Sequence, residues 1–157
     1  FESVKGKESI AIVAFTTDGD VFGGFHFGQV TEINKPVIVS KIFAFSFESR
    51  GRCATPRQFF TRFDLHEKCV KYTNTNSGFV GFSSGSAKFV LGNETSDSCC
   101  VDIDQLFDEL SSTTLVGKNG TDKSQVFHCK RLVAVRTGGV SRETLLFTTP
   151  LTSQTVG

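Results

Sequence analysis

The segment Ile42-Phe43-Ala44-Phe45-Ser46-Phe47-Glu48 sets a phenylalanine at every second position, with small or polar residues between. A period of two sends successive side chains to opposite faces of a pleated strand, so the three rings share one face. A helix would scatter them around its axis. The segment therefore calls for a sheet with one strongly apolar side. Phenylalanine dominates the apolar content of the whole chain: 17 residues of 157, against one Tyr and no Trp or Met. It favours strands and carries no polar atom that needs a partner, which suits a dry interior between sheets.

Other segments repeat the theme. The apolar runs Ser9–Phe15 and Val21–Phe27 flank Asp18-Gly19-Asp20, a strong hairpin signal in which Gly19 supplies a positive φ. Gly23 and Gly24 inside the second run mark a bulge or a close approach by another backbone or ring. A run from Val37 leads into the alternating segment, and Arg50-Gly51-Arg52 and Thr55-Pro56-Arg57 end it. Phe59, Phe60 and Phe63 begin another short run. Two short strands, 78–82 and 88–92, bracket Ser83-Ser84-Gly85-Ser86. The best helix candidate is Asp102–Leu110, where Ile103, Leu106, Phe107 and Leu110 fall at i, i+3, i+4 and i+7, and Asp102 is placed to cap it. Residues 111–124 read as a polar loop, and Gln125–Arg136 as a last long strand. The predicted fold class is α+β, mainly β: two antiparallel sheets packed as a sandwich with a few short helices. Residues 1–136 form the domain, and 137–157 a polar C-terminal tail, partly docked through Leu145-Leu146-Phe147.

The 157 residues fit one domain, large enough to need no disulfide or metal staple. Seventeen basic and 16 acidic residues are mixed along the chain, for a net charge of +1. That balance predicts no strong attraction to nucleic acid or anionic membrane. Five cysteines, Cys53, Cys69, Cys99, Cys100 and Cys129, are an odd number without regular spacing, which points to reduced thiols in the cytoplasm or nucleus. The sequons at Asn93 and Asn119 read as chance triplets in polar loops. No signal-peptide pattern opens the chain and no apolar run approaches the ~18 residues of a membrane span, so no membrane insertion is expected. An opening Phe1 in place of Met reads as a segment cut from a longer protein.

The search for chemistry is mostly negative. His26, His66 and His128 are scattered, without the spacing of a metal site. His26 alternates with Phe25 and Phe27 and belongs on the opposite face from those rings. Nucleophile-elbow, P-loop and dinucleotide motifs are absent, and the glycine-rich stretch 78–85 lacks the Lys and following helix that phosphate binding uses. Asp18 with Asp20, and Asp102 with Asp104, read as a turn and a helix start. The most reactive-looking feature is Cys99-Cys100, just ahead of the expected helix, whose positive end would lower a thiol pKa; Asp97, Asp102, Asp104 and Asp108 oppose it. Arg50, Arg52, Arg57, Arg62, Lys68 and Lys71 form the most basic stretch and interleave with Phe59, Phe60 and Phe63, a candidate binding surface for nucleic acid or a phosphorylated partner. The residues assign no catalytic group, no cofactor and no metal.

Four pieces in order carry a family resemblance. Asp18-Gly19-Asp20-Val21-Phe22-Gly23-Gly24-Phe25, Ile42–Phe47, the 78–85 stretch with Lys88-Phe89-Val90-Leu91, and Phe127–Val135 are similar to successive motifs of the TLDc domain. That family occurs in oxidation-resistance proteins and in regulators of the vacuolar proton pump. Three departures mark a divergent member. The helical segment before the first strand is missing from these residues, serine partly replaces the glycine-rich turn, and the closing strand lacks an acidic residue and Trp. The resemblance makes Asp18, Gly19, Gly23, Gly24, Gly81 and Gly85 structural motif residues. It implies a non-catalytic protein-interaction domain of the stress response whose partner is a protein, with proton-pump subunits the family's example. Two alternatives stand beside it: a nucleic-acid-binding transcriptional regulator using the Arg50–Lys71 stretch, and a thiol-based antioxidant using Cys99 and Cys100.

Overall fold

The Asp-Gly turn and its flanking apolar runs build the hairpin that the sequence calls for. In the computed structural model, β1 (Ser9–Thr16) and β2 (Val21–Phe27) pair antiparallel from Ser9↔Phe27 to Phe15↔Val21. The turn closes with Thr16 N–H donating to the Asp20 carbonyl at 3.0 Å and Gly19 N–H to the Thr16 carbonyl at 3.2 Å. Gly19 sits at φ +94°, a conformation that favours glycine. The structure describes residues 2–65, 67–74, 79–92, 98–117 and 124–137, and the backbone of 154–155.

The remaining strands are β3 (Val37–Ile38), β4 (Lys41–Glu48), β5 (Arg57–Phe60), β6 (Cys69–Tyr72), β7 (Val80–Ser84), β8 (Ala87–Leu91), β9 (Ser98–Val101), β10 (Ser124–Phe127), β11 (Cys129–Arg136) and β12 (Gln154–Thr155). They form two antiparallel six-stranded sheets. The first has the order β12-β11-β1-β2-β4-β5 and the second β10-β9-β8-β7-β6-β3. This is the mainly β sandwich expected from the strand pattern. Among the described residues, no helix is long and apolar enough to cross a membrane.

Three local expectations are corrected. Asp102–Leu110 is not a helix. A single 3-10 turn, Ile103–Gln105, follows Asp102, which lies at φ 47° and makes no capping bond through its side chain. Its four apolar residues are buried as the spacing implies, but the backbone of 106–108 bonds to the edge of the first sheet. Arg62 N–H donates to the Leu106 carbonyl and Asp108 N–H to the Phe60 carbonyl. The helix instead lies in the expected loop, as α1 (Ser112–Val116). Finally, Gln125–Arg136 is two strands: β10 lies in the second sheet and β11 in the first, and His128 alone joins them. The run from Val37 divides the same way, β3 in the second sheet and β4 in the first.

The main core lies between the sheets. Phe22 from β2 meets Phe127 edge-on at 5.2 Å between ring centroids and Phe89 at 6.0 Å; Phe82 stacks on Phe89 at 5.9 Å. A Cβ at Gly24 would lie 2.6 Å from the Phe82 ring, so this glycine lets a ring of one sheet rest on the backbone of the other. A Cβ at Gly23, on the opposite face, would overlap the Ile12 carbonyl oxygen.

That opposite face of the first sheet holds a second cluster. Ala11, Val13, Phe25, Phe43, Phe45, Val133 and Val135 are each 3% exposed or less, with Phe15, Val21, Phe27 and Phe47 packed around them. Phe25 and Phe43 stack at 4.6 Å. The alternating phenylalanines of β4 thus point away from the second sheet, while Ile42 and Ala44 face it.

Candidate functional site

The stretch from 49 to 72 carries most of the sequence candidates, and the structure distributes them over three places. Arg50 and Arg52 close on the hairpin turn. The Asp20 carboxylate, only 1% exposed, accepts two bonds from Arg50, at 3.0 Å from Nε and 3.1 Å from Nη2, and one from Arg52 Nη2 at 2.6 Å. Arg52 continues to the Thr114 and Leu115 carbonyls of α1 at 2.9 and 2.6 Å. The loop that presents both arginines is pinned by Ser49, whose hydroxyl accepts from Cys53 N–H and donates to the Cys53 carbonyl. The Asp20 bonds raise the Arg50 pKa above its usual value. These two guanidiniums tie the turn, the 49–53 loop and α1 together.

Arg57 and Arg62 lie further along. Arg57 pairs with Glu109 at 2.5 Å and covers the Phe59 ring; Arg62 pairs with Asp64 at 3.2 Å. All four arginines of the basic stretch therefore hold a carboxylate. Lys68 precedes β6, its carbonyl accepting from Val39 N–H, and Lys71 stands on the outer face of the second sheet. The six basic residues do not gather on one surface.

An exposed aromatic rim is what the same stretch does present. Phe59 turns into the core, and its neighbour Phe60 turns to the outer face, opposite Phe43 in register with ring centroids 6.4 Å apart. Phe60 is 49% exposed and Phe63 is 97% exposed. The Lys41 ammonium stands 5.7 Å from the Phe60 centroid. The second aromatic cluster therefore runs from Phe25 and Phe43 to an open rim at the edge strand, with Lys41 beside the Phe60 ring. The sequence marked Phe60 and Phe63 as strand residues and as the aromatic part of a basic binding stretch, without separating them from the buried Phe59. An i, i+3 pair beyond a proline-broken loop gives no signal of which ring is covered.

None of the five cysteines is in a disulfide. Cys99 and Cys100 lie within β9, followed only by the single 3-10 turn and not by the expected helix, and the Cys100 thiol donates to the Ser112 carbonyl at 3.8 Å. Their side chains go to opposite faces. Cys100 is buried in the core, where desolvation pushes its thiol up to about 12. Cys129 is also buried and raised by desolvation. Cys69 is raised too, first by desolvation and then by Glu67. These shifts favour the inert thiol over the thiolate, which at Cys100 is opposite to the expected lowering.

His26 faces the core as its alternation with Phe25 and Phe27 requires. Its Nδ1 lies 3.0 Å from the Gly28 carbonyl, which can only accept, so Nδ1 carries the proton and Nε2 accepts from the Tyr72 hydroxyl at 2.8 Å. Burial lowers the His26 pKa to about 4, partly offset by Gly28, and burial raises that of Tyr72. The pair is a polar bridge between the sheets, closed to substrate. His128 joins β10 to β11, and its carbonyl accepts from Thr17 N–H. His66, Asp97, Gly78, the sequons and Leu145–Phe147 lie outside the described residues. Among the described residues no three His, Cys, Asp or Glu side chains are grouped to hold a metal.

The structural motif residues divide. Asp18, Gly19 and Gly85 form turns, Gly85 at φ +58°, and Gly23 and Gly24 admit close neighbours. Gly81 meets only Val90 Cγ2, at an ordinary 3.7 Å, and its backbone is not left-handed. Neither protein-family models nor characterised protein sequences match this chain. The TLDc likeness rests on the four sequence motifs.

Proposed function

We propose that the chain is a non-catalytic protein-interaction domain of the TLDc type, which docks on a protein partner through the Phe60–Phe63 rim. The supporting observation is that Phe60, 49% exposed, and Phe63, 97% exposed and three residues on, are the exposed phenylalanine rings among the described residues. An aromatic ring held in water gains most by burial in a partner, and exposed aromatic rings are typical anchors of protein interfaces. The Lys41 ammonium beside the Phe60 ring suits a partner whose apolar pocket is bordered by an acidic residue. Through the resemblance, the reading extends to oxidative-stress resistance in the cytoplasm and to proton-pump subunits as partners.

Affinity capture with the purified domain, compared with Phe63→Ala and Phe60→Ala, tests it. Specific capture of pump subunits or another defined protein, weakened about 30-fold by Phe63→Ala, is the expected result, since an aromatic hot spot contributes about 2 kcal/mol. Capture that is indifferent to both substitutions overturns the reading.

A further inference from the structure

The second sheet carries a trough on its outer face that the interaction reading does not use. Strand β7 is flanked by β6 and β8, and its outward residues are Gly81 and Ser83, both short, while Phe82 turns to the core. The flanking strands carry longer outward side chains. Lys71 stands opposite Gly81 on one side and Val90 on the other; Lys88 stands opposite Ser83. With Thr73 these six residues line a depression of about 250 Å³ running along β7. Strand spacing sets its two walls about 10 Å apart, within reach of two lysine side chains converging over the middle strand.

Two independent observations point to an occupant. The first is charge. Among the described residues neither Lys71 nor Lys88 has an ion-pair partner, whereas all four arginines of the basic stretch are paired. Two lysine side chains, with Ser83 and Thr73, thus border one space.

The second is Gly81. The fold requires glycine at 19 and 85 for their positive φ and at 23 and 24 for close packing. Gly81 meets neither condition, because an added Cβ would make one ordinary contact and its φ is not positive. Glycine in a strand interior sacrifices stability for chain entropy and packs nothing. Its effect here is to keep the trough open.

We propose that this trough binds a small organic phosphate monoester, with the phosphoryl oxygens between Lys71 and Lys88 and a short apolar stem on Gly81 and Val90. Two ammonium groups match the charge of about −1.5 to −2 that such a phosphate carries at neutral pH. The depression lies just below the usual range of roughly 300–1,000 Å³ for ligand pockets, so it suits a headgroup with a short stem. This proposal is independent of the Phe60–Phe63 surface.

Phenyl phosphate is the probe, with inorganic phosphate, phenol and a phosphotyrosine hexapeptide as comparisons, read by amide chemical shifts in the intact domain. Saturable shifts at Gly81, Ser83 and Lys88 are expected with phenyl phosphate, at least tenfold tighter than with inorganic phosphate or phenol. Lys71→Gln and Lys88→Gln should each weaken binding about tenfold. Gly81→Val should abolish binding with a melting temperature at or above that of the parent. Absence of saturable shifts, or inorganic phosphate binding as tightly, overturns the proposal. A Gly81→Val domain that melts lower than the parent, or binds unchanged, removes the argument from glycine and overturns it as well. A peptide binding tenfold tighter than phenyl phosphate reassigns the trough to a phosphorylated protein.

Discussion

The two sheets differ in what they do with their outer faces. The first is apolar on both sides: Ile10, Ile12 and Ile42 face the second sheet, and Val13, Phe25, Phe43 and Phe45 fill the opposite face. The second sheet is apolar on one side only. Its outward positions hold Lys71, Gly81, Ser83, Lys88 and Cys99 between a few valines. The sequence patterns differ accordingly. Strand β1 reads Ser-Ile-Ala-Ile-Val-Ala-Phe-Thr without a charge, whereas β8 alternates Ala-Lys-Phe-Val-Leu around its lysine. A near-continuous apolar strand marks a sheet buried on both sides, and an interrupted one marks a sheet that meets water. The first sheet is built for packing except at its Phe60 edge, and the second leaves a face on which a ligand can act.

Truncating a ring tests this contrast most severely. Phe45→Ala should cost about 3–5 kcal/mol of unfolding free energy, as for a ring in any packed core, and Val101→Ala on the outer face of the second sheet within roughly 0.5 kcal/mol. Urea denaturation of the two variants measures both; comparable losses would erase the distinction between the faces.

The bridge between the sheets gives a smaller, pH-dependent effect. His26 titrates at about 4 in the folded protein against 6.5 in the unfolded chain. As pH falls below 6.5 the unfolded state takes the proton first, so stability is full above 6.5 and declines between 6.5 and 4. The loss is about 3 kcal/mol over that window, at 1.36 kcal/mol per unit. A His26→Gln domain should lose this portion of the slope in denaturation curves taken at pH 7.5 and 4.5, and an unchanged slope would assign acid sensitivity to other groups.

Glycine substitutions discriminate most finely. Gly24→Ala forces a methyl against Phe82 and should lower stability by about 1–3 kcal/mol. Gly81→Ala should be neutral or stabilising by about 0.5–1 kcal/mol, since the strand gains a residue with less entropy to lose. Thermal melts of the two variants should move in opposite directions, and a Gly81→Ala domain that melts as low as Gly24→Ala would make both glycines packing residues.

Local signals were legible where they were strong and short-range. Asp18-Gly19 specified its hairpin, and the period of two specified β4. What the sequence hid were events decided by distant partners. Ile103, Leu106, Phe107 and Leu110 have helical spacing and are all buried, yet pairing of 106–108 with the edge of β5 holds the backbone out of a helix. Strand preference is continuous from Gln125 to Arg136, and nothing in it announces that the chain changes sheets at His128. The basic stretch looked like a surface because the carboxylates that neutralise Arg50, Arg52 and Arg57 are distant in sequence: Asp20 lies 30 residues before Arg50, and Glu109 lies 52 residues after Arg57, while only Asp64 stands beside its arginine, Arg62. The exposure of Phe63 and the openness above Gly81 are likewise properties of the folded surface.

The pairing of β1 with β11 has a consequence for synthesis. Ile10 lies opposite Arg136 and Thr16 opposite Cys129, so a strand made among the first residues waits for one made near the last described ones. At ordinary translation rates of about 5–20 residues per second, that interval is on the order of ten seconds. Throughout it β1 offers an unpaired, uncharged apolar edge on the nascent chain, the kind of template that recruits other strands. Final closure also spans a long stretch of sequence, which slows folding in proteins of this topology. That open edge at Ile10–Phe15 is the liability this sheet order carries until residue 136 has been made.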